Sequence, residues 1–168
     1  ALNVQKYQTL ANQNGYKDEP YAIMPRLTGR WQKTIGKANI NVFSQFTRFV
    51  HDSKQDGSRT VLYPSVRWDF NNQWGYIRPK IGVHATYYDL GSFGSQSSRR
   101  VSRVLPIFNV DTGMTFERNA NVFGKAYLQT LEPRLFYNYI PTKSQNDLPN
   151  FDTSENSFSY NQLFRENL

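Results

Sequence analysis

The sequence predicts an all-β fold: a stretch of antiparallel transmembrane β-barrel wall, about seven or eight strands of it. Three observations carry that prediction. Extended, aromatic-rich segments are joined alternately by long polar gaps and short ones, the trace left when loops on one side of a membrane can grow and turns on the other stay tight. The segments reach the roughly 9–11 residues a membrane-crossing strand needs, about twice the usual length in soluble sheets. Within them apolar and polar residues alternate, which turns one face of each strand to oil and the other to water.

Strands are expected over residues 2–10, 21–32, 39–49, 59–69, 75–89, 104–117 and 125–140, with 158–168 as a returning strand. The gaps at 11–20, 50–58 and 90–103 are long, and those at 33–38, 70–74 and 118–124 are short. The first segment opens on the alternating pair Leu2 and Val4. In 39–49 the pattern is less clean, since Phe43 and Phe49 fall opposite Val42 and Phe46. In 59–69, Leu62, Pro64, Val66 and Trp68 oppose Tyr63, Ser65, Arg67 and Asp69. The clearest case is 75–89, where Ile77, Ile81, Val83 and Ala85 oppose Arg78, Lys80, His84 and Thr86. Phe108, Val110 and Met114 then oppose Asn109, Asp111 and Thr115, and Leu131, Leu135, Tyr137 and Tyr139 oppose Thr130, Glu132, Arg134 and Asn138.

Trp31, Trp68 and Trp74 fall toward the short-turn end, while Tyr7, Tyr21, Tyr87, Tyr88, Tyr137 and Tyr139 gather toward the other. Two aromatic belts bracketing an aliphatic band is how a barrel sits between two membrane interfaces. Pro25, Pro64, Pro79, Pro106 and Pro133 oppose the reading, because each removes a ladder N–H from a proposed strand. They are expected on the outward face, at bulges or strand ends.

Composition narrows the alternatives. The chain has 168 residues, a net charge of +7, 15% aromatic residues and no cysteine, so it offers no disulfide or thiolate metal site. Mean hydropathy is low and no apolar run approaches the ~18 residues of a membrane helix, which excludes helical spans but not a barrel. The basic residues are scattered with no run of five or six, so no nucleic-acid partner is expected. Phosphate-loop, dinucleotide, nucleophile-elbow and zincin motifs are absent, and no enzymatic role, cofactor or metal is expected. His51-Asp52 reads as a solvated loop pair, Glu132 with Arg134 as a lumen ion pair, and Asp147, Asp152 and Glu155 as solvated loop acids. The chain begins inside an alternating pattern and reads as an internal piece of a longer protein.

The last third carries recognisable text. Gln129-Thr130-Leu131-Glu132-Pro133-Arg134-Leu135-Phe136-Tyr137 runs on through Tyr139, Pro141, Gln145, Asp147 and Pro149 to Asn150-Phe151-Asp152-Thr153, Phe158-Ser159-Tyr160 and Leu163-Phe164-Arg165. Pro64-Ser65-Val66-Arg67-Trp68, Trp74-Gly75-Tyr76 and Leu105-Pro106-Ile107-Phe108 add weaker matches in order. This text closely resembles the LptD (OstA/Imp) family of outer-membrane LPS-assembly proteins. The resemblance implies a very large barrel in the cell outer membrane that delivers lipopolysaccharide to the outer leaflet. It also implies a plug lipoprotein, LptE, inside the barrel and a periplasmic Lpt bridge docking on a further N-terminal domain.

On that footing Arg26, Arg30, Arg67, Arg78, Lys80, His84, Glu132 and Arg134 are candidate lumen contacts to lipopolysaccharide or plug. Arg99, Arg100 and Arg103 are candidates for lipopolysaccharide phosphates in an outer loop. Trp31, Trp68, Trp74, Tyr87, Tyr137 and Tyr139 are expected in the interfacial belts. Two alternatives stay open: a diffusion channel or receptor barrel, which would share the alternation, and a soluble β-sandwich binding acidic polymers, whose apolar face would point inward.

Overall fold

The computed structural model describes residues 1–6, 20–144, 147–152 and 163–166. Ten strands form: β1 (Leu2–Gln5), β2 (Ala22–Ile35), β3 (Ala38–Val50), β4 (Gly57–Trp68), β5 (Phe70–Asn72), β6 (Gly75–Leu90), β7 (Arg99–Met114), β8 (Phe116–Val122), β9 (Lys125–Leu131) and β10 (Arg134–Tyr139). They build one antiparallel sheet in the order β1-β2-β3-β4-β6-β7-β10, with β5 also on β6, and β8 and β9 pair with each other. The described residues contain no helix.

Two apparent breaks are interruptions within continuous strands. Arg67 faces Lys80 and Phe70 faces Ile77 at the same offset, so β5 continues β4 past Asp69. Likewise Gly113 faces Arg134 and Phe116 faces Leu131, so β7–β8 and β9–β10 are the two arms of one long hairpin. The short gaps of the sequence become tight turns. Ile35 pairs with Ala38 across Gly36-Lys37, and Gly36 takes a φ of +57° that a side chain would resist. Val122 pairs with Lys125 across Phe123-Gly124, both at positive φ. The long connections, residues 51–56 and 91–98, lie at the opposite end.

The proline problem resolves in the ladder. Pro25 sits where the β2–β3 register shifts, between Ile23 and Arg26. The β4–β6 pairing lapses between Leu62 and Ser65, at Pro64, and again between Lys80 and Ile77, at Pro79. Pro106 lies beyond Phe108, where the β10 ladder ends, and Pro133 occupies the gap between β9 and β10. Each proline removes its N–H where a ladder shifts, lapses or ends, and only at Pro25 does the register change.

One sequence expectation needs correction, and two others are only partly covered by the described residues. The gap predicted over 90–103 closes early: Arg99, Arg100 and Arg103 are strand residues facing Leu90, Asp89 and Thr86. The ladder to β6 overrides their weak strand preference, since β propensity reports mostly cross-strand packing. The first strand is described only as far as Gln5, and the remainder of 2–10 lies outside the described residues. The returning strand at 158–168 lies mostly outside them too, and residues 163–166 form a turn and a bend instead.

The two faces differ as the alternation demands. On the outer face Leu62, Ile81 and Leu135 are 46%, 49% and 66% exposed, with Val83, Phe108 and Met114 beside them and no protein layer covering them among the described residues. The best-buried side chains, Phe49, Thr47, Ile107, Leu90 and Thr86, all belong to the inner face. An apolar row left bare while the opposite row is covered is the reverse of a soluble sandwich. On the inner face, glycine makes room for close ring approach: a Cβ on Gly82 would stand 2.7 Å from the Tyr63 ring, and one on Gly113 2.7 Å from that of Tyr76.

This arrangement predicts a one-sided sensitivity to charge. In the full-length protein, Ile81→Arg should destabilise the barrel by about 2–4 kcal/mol, while Gln32→Arg on the inner face should stay within about 0.5 kcal/mol. Denaturant titration of folding into phospholipid vesicles measures both, and equal costs would mean that Ile81 does not face lipid.

Candidate functional site

Cross-strand register gathers the predicted cations on the inner face. Arg26 faces Thr47, which faces Arg59 and then Tyr88; Arg30 faces Phe43 and then Tyr63. Arg67 faces Lys80, which faces Asn109, and Arg78 faces Asp111. His84 lies on the same face, 5.6 Å from the Tyr63 ring, and Arg134 closes the set on β10. Glu132 does not join them, because it falls in the interruption between β9 and β10 and is exposed.

Most of these cations rest on an aromatic ring. Arg30 lies 5.4 Å from the Phe43 centroid, Lys80 4.9 Å from Tyr63, Arg78 4.1 Å from Tyr76, Arg59 5.1 Å from Phe49 and Arg134 4.4 Å from Phe164. A ring face attracts the cation while leaving its N–H groups open to oxygen acceptors. Between Arg30, Asn41, Tyr63, Ser65, Arg67 and Lys80 the face is hollowed into a polar recess of about 600 Å³.

Carboxylates from several elements meet the cations. Asp69 stands 3.0 Å from Arg67 Nε and 3.6 Å from Arg78 Nε, and accepts from Asn39 Nδ2 at 2.6 Å. Asp111 takes a two-pronged pair from Arg134, Nε and one terminal nitrogen both at 2.8 Å. Arg134 therefore takes a carboxylate across the ladder, where the sequence suggested its neighbour Glu132. Glu166 accepts from Lys80 at 2.7 Å, from the Tyr63 hydroxyl at 2.5 Å and from Asn109. Asp152 accepts from Arg59 at 2.6 and 3.0 Å and from Arg26 at 3.2 Å. It is thus a buttressed inner-face group and not the solvated loop acid the sequence suggested.

Asp152 is delivered by its neighbour. Phe151 stacks on Phe49 with centroids 4.5 Å apart and planes at 9°, and meets Tyr21 edge-on at 4.9 Å. Gly57 leaves the space for it, since a Cβ there would come within 2.6 Å of the Phe151 ring. Burial raises the Tyr21 phenol above its usual pKa, so the hydroxyl stays protonated and donates to the Gln55 carbonyl at 3.2 Å. His51, read as a solvated loop residue, is half-buried with its ring 5.1 Å from that of Tyr21.

The remaining predicted residues divide. Arg99 and Arg103 turn inward, and Arg99 donates to the Asp147 carbonyl at 2.7 Å, while Arg100 turns outward, 3.5 Å from Asp89. Trp31, Trp68 and Tyr87 lie on the outer face, and Trp74 in the turn before β6 is exposed. Tyr137 and Tyr139 are outward as well, but they face Val110 and Phe108 in the middle of β7, not the row of Tyr87. Tyr21 and Tyr88 point inward against Phe151 and leave the belt, and Tyr7 lies outside the described residues. Sequence reasoning missed Arg59, although stepping back by twos from Arg67 reaches it. It also missed Asp152 and Glu166, which no local pattern assigns to the sheet.

Comparison with known proteins adds family context. The profile described as LptD, LPS transport system D, matches residues 1–168. The chain is 71% identical over 167 residues to the LPS-assembly protein LptD of Neisseria meningitidis serogroup A, covering 99% of this chain and 21% of that protein. It is 46% identical over 168 residues to the LPS-assembly protein LptD of Chromobacterium violaceum, and 38% over 167 residues to that of Nitrosospira multiformis. The chain spans about a fifth of the length of these relatives, 21% of the first two and 18% of the third.

The inner-face geometry predicts unequal ion pairs. Arg134→Met removes the two-pronged pair from Asp111, whose side chain is 17% exposed and keeps only the Tyr76 hydroxyl at 3.3 Å among the described residues, and should cost about 1 kcal/mol. Arg100→Met breaks a pair whose two side chains are 75% and 49% exposed. That second change should lie within noise. Equilibrium unfolding of the two variants side by side checks the ranking.

Proposed function

The chain belongs to the LptD family, and from that premise we propose that it forms wall strands of a lipopolysaccharide translocon in the Gram-negative outer membrane. The observation that carries the reading is the two-faced sheet, with an uncovered aliphatic face outside and cations seated on aromatic rings inside. The substrate has matching halves, since acyl chains seek hydrocarbon while phosphates and acidic sugars seek cations and water.

On this reading the apolar outer row lies in the bilayer and the short turns, beside Trp31, Trp68 and Trp74, mark one interface. The inner face handles the anionic head. Arg67 and Arg78 share Asp69, and Lys80 holds Glu166, so each cation already has a carboxylate that a passing phosphate can replace. Exchange of one anion for another avoids stripping a cation bare, the costly step in moving charge through a confined space. The polar recess between Arg30 and Lys80 fits a second role, contact with the plug lipoprotein LptE. The periplasmic bridge is placed on the part of the protein that this chain does not include.

Charge reversal tests the assignment. In the full-length protein, Arg67→Glu together with Arg78→Glu should cut crosslinking of lipopolysaccharide to a photoreactive residue at Gln32 several-fold and slow its appearance at the cell surface. Unchanged crosslinking and unchanged LptE co-purification would remove these cations from the route.

A further inference from the structure

One lateral row of the inner face gathers three of the seven buried polar atoms that lack a hydrogen-bond partner among the described residues, the most of any row. Arg26 on β2, Thr47 on β3 and Arg59 on β4 are direct cross-strand partners. Thr47 is fully buried between the two arginines. Asp152 spends both oxygens here, Oδ1 on Arg59 and Oδ2 on Arg59 and Arg26. Even so, Arg26 Nε, Thr47 Oγ1 and Arg59 Nε are buried with no hydrogen-bond partner among the described residues. A purely structural ion pair would be expected to satisfy its donors, because an unpaired buried polar atom is costly. Three unsatisfied atoms on one row indicate a site cut for an anion richer in acceptors than a carboxylate.

We propose that Arg26, Thr47 and Arg59 form a phosphate-monoester site, and that Asp152 is its internal occupant, displaced when a substrate phosphate arrives. A phosphate monoester offers three strong acceptor oxygens against the two of Asp152, and two guanidinium forks suit it geometrically. The Arg59 guanidinium is steadied over the Phe49 ring, and Phe151, stacked on the same ring, sets Asp152 in place. Asp152 is 30% exposed, so it stands at the open side of the site, where exchange can begin. The inference rests on the translocation reading only for the source of the phosphate.

The test uses the full-length protein with its plug lipoprotein in detergent, and three probes: lipid A with both phosphates, the same lipid dephosphorylated, and inorganic phosphate. Asp152→Asn should raise retention of phosphorylated lipid A about tenfold and leave the dephosphorylated lipid unchanged. The pair Arg26→Gln and Arg59→Gln should lower retention by about tenfold or more. Thr47→Val, which keeps every charge and nearly the same shape, should lower it about threefold and keeps the test decisive if the double variant fails to fold. Competition by inorganic phosphate would support a site that reads the phosphate alone; a charge-dependent signal without competition would support a lipid-borne phosphate. Equal retention of both lipids by all variants would overturn the site. Surface lipopolysaccharide in cells carrying each variant separates the two ideas: export with no phosphate discrimination sinks the site and spares the translocation reading, and a wild-type protein that exports none sinks that reading.

Discussion

A strand that shows oil on one side and water on the other cannot slip by a single residue, because one step moves every side chain to the wrong face. The whole sheet depends on that constraint. From β2 to β7 the pairing runs through twelve- to sixteen-residue strands with a single register shift, at Pro25. Elsewhere the ladder lapses without shifting: past Pro64, past Asp69 and Pro79, and past Pro133 the same offset resumes. Proline in these places removes a hydrogen bond and preserves the parity. A bulge at any of them would have turned Ile81 or Leu135 toward the lumen.

Parity also explains how the inner face acquires its chemistry. Residues far apart in sequence fall into lateral rows, so Arg26, Thr47 and Arg59 become neighbours although each strand sees only its own alternation. The rows are not uniform along the strand. Toward the long connections they set arginines among buried aromatic and aliphatic side chains, Arg26, Arg59 and Arg103 beside Phe49, Tyr88, Leu90 and Ile23. Toward the short turns they are charged, with Arg67, Arg78, Lys80, Asp69 and Asp111. On the proposed translocation reading, such a face offers an amphiphile apolar support and charge together at one height and denser charge pairing at another.

Much of this was legible in the sequence because period-two alternation and turn spacing are local signals. Gly75 through Leu90 reads correctly from its own residues, and the tight turns at Gly36-Lys37 and Phe123-Gly124 fall inside gaps already marked as short. The errors share one cause. Arg99, Arg100 and Arg103 looked like loop because they sit in a polar, serine-rich run; the β6 ladder makes them strand. Tyr21 and Tyr88 looked like belt residues because their inward partner, Phe151, arrives from beyond the last strand. Asp152 and Glu166 were unreadable as inner-face groups for the same reason: their partners lie 57 to 126 positions away.

On the translocation reading proposed above, the weakness of the inner ion pairs becomes an asset. Arg67 and Asp69 are 51% and 23% exposed, and Arg134 and Asp111 are 44% and 17% exposed. Pairs this wet contribute about 0–1 kcal/mol to stability. Fully buried pairs would be held by several kcal/mol against loss of a partner, and a passing anion could not exchange with them at thermal energies. Leaving them bare would instead let a phosphate bind too tightly to leave. Half-exposed cations, steadied by rings and lightly paired, sit between those limits. The aromatic partner makes the balance possible, because it fixes the cation's position without consuming its donors.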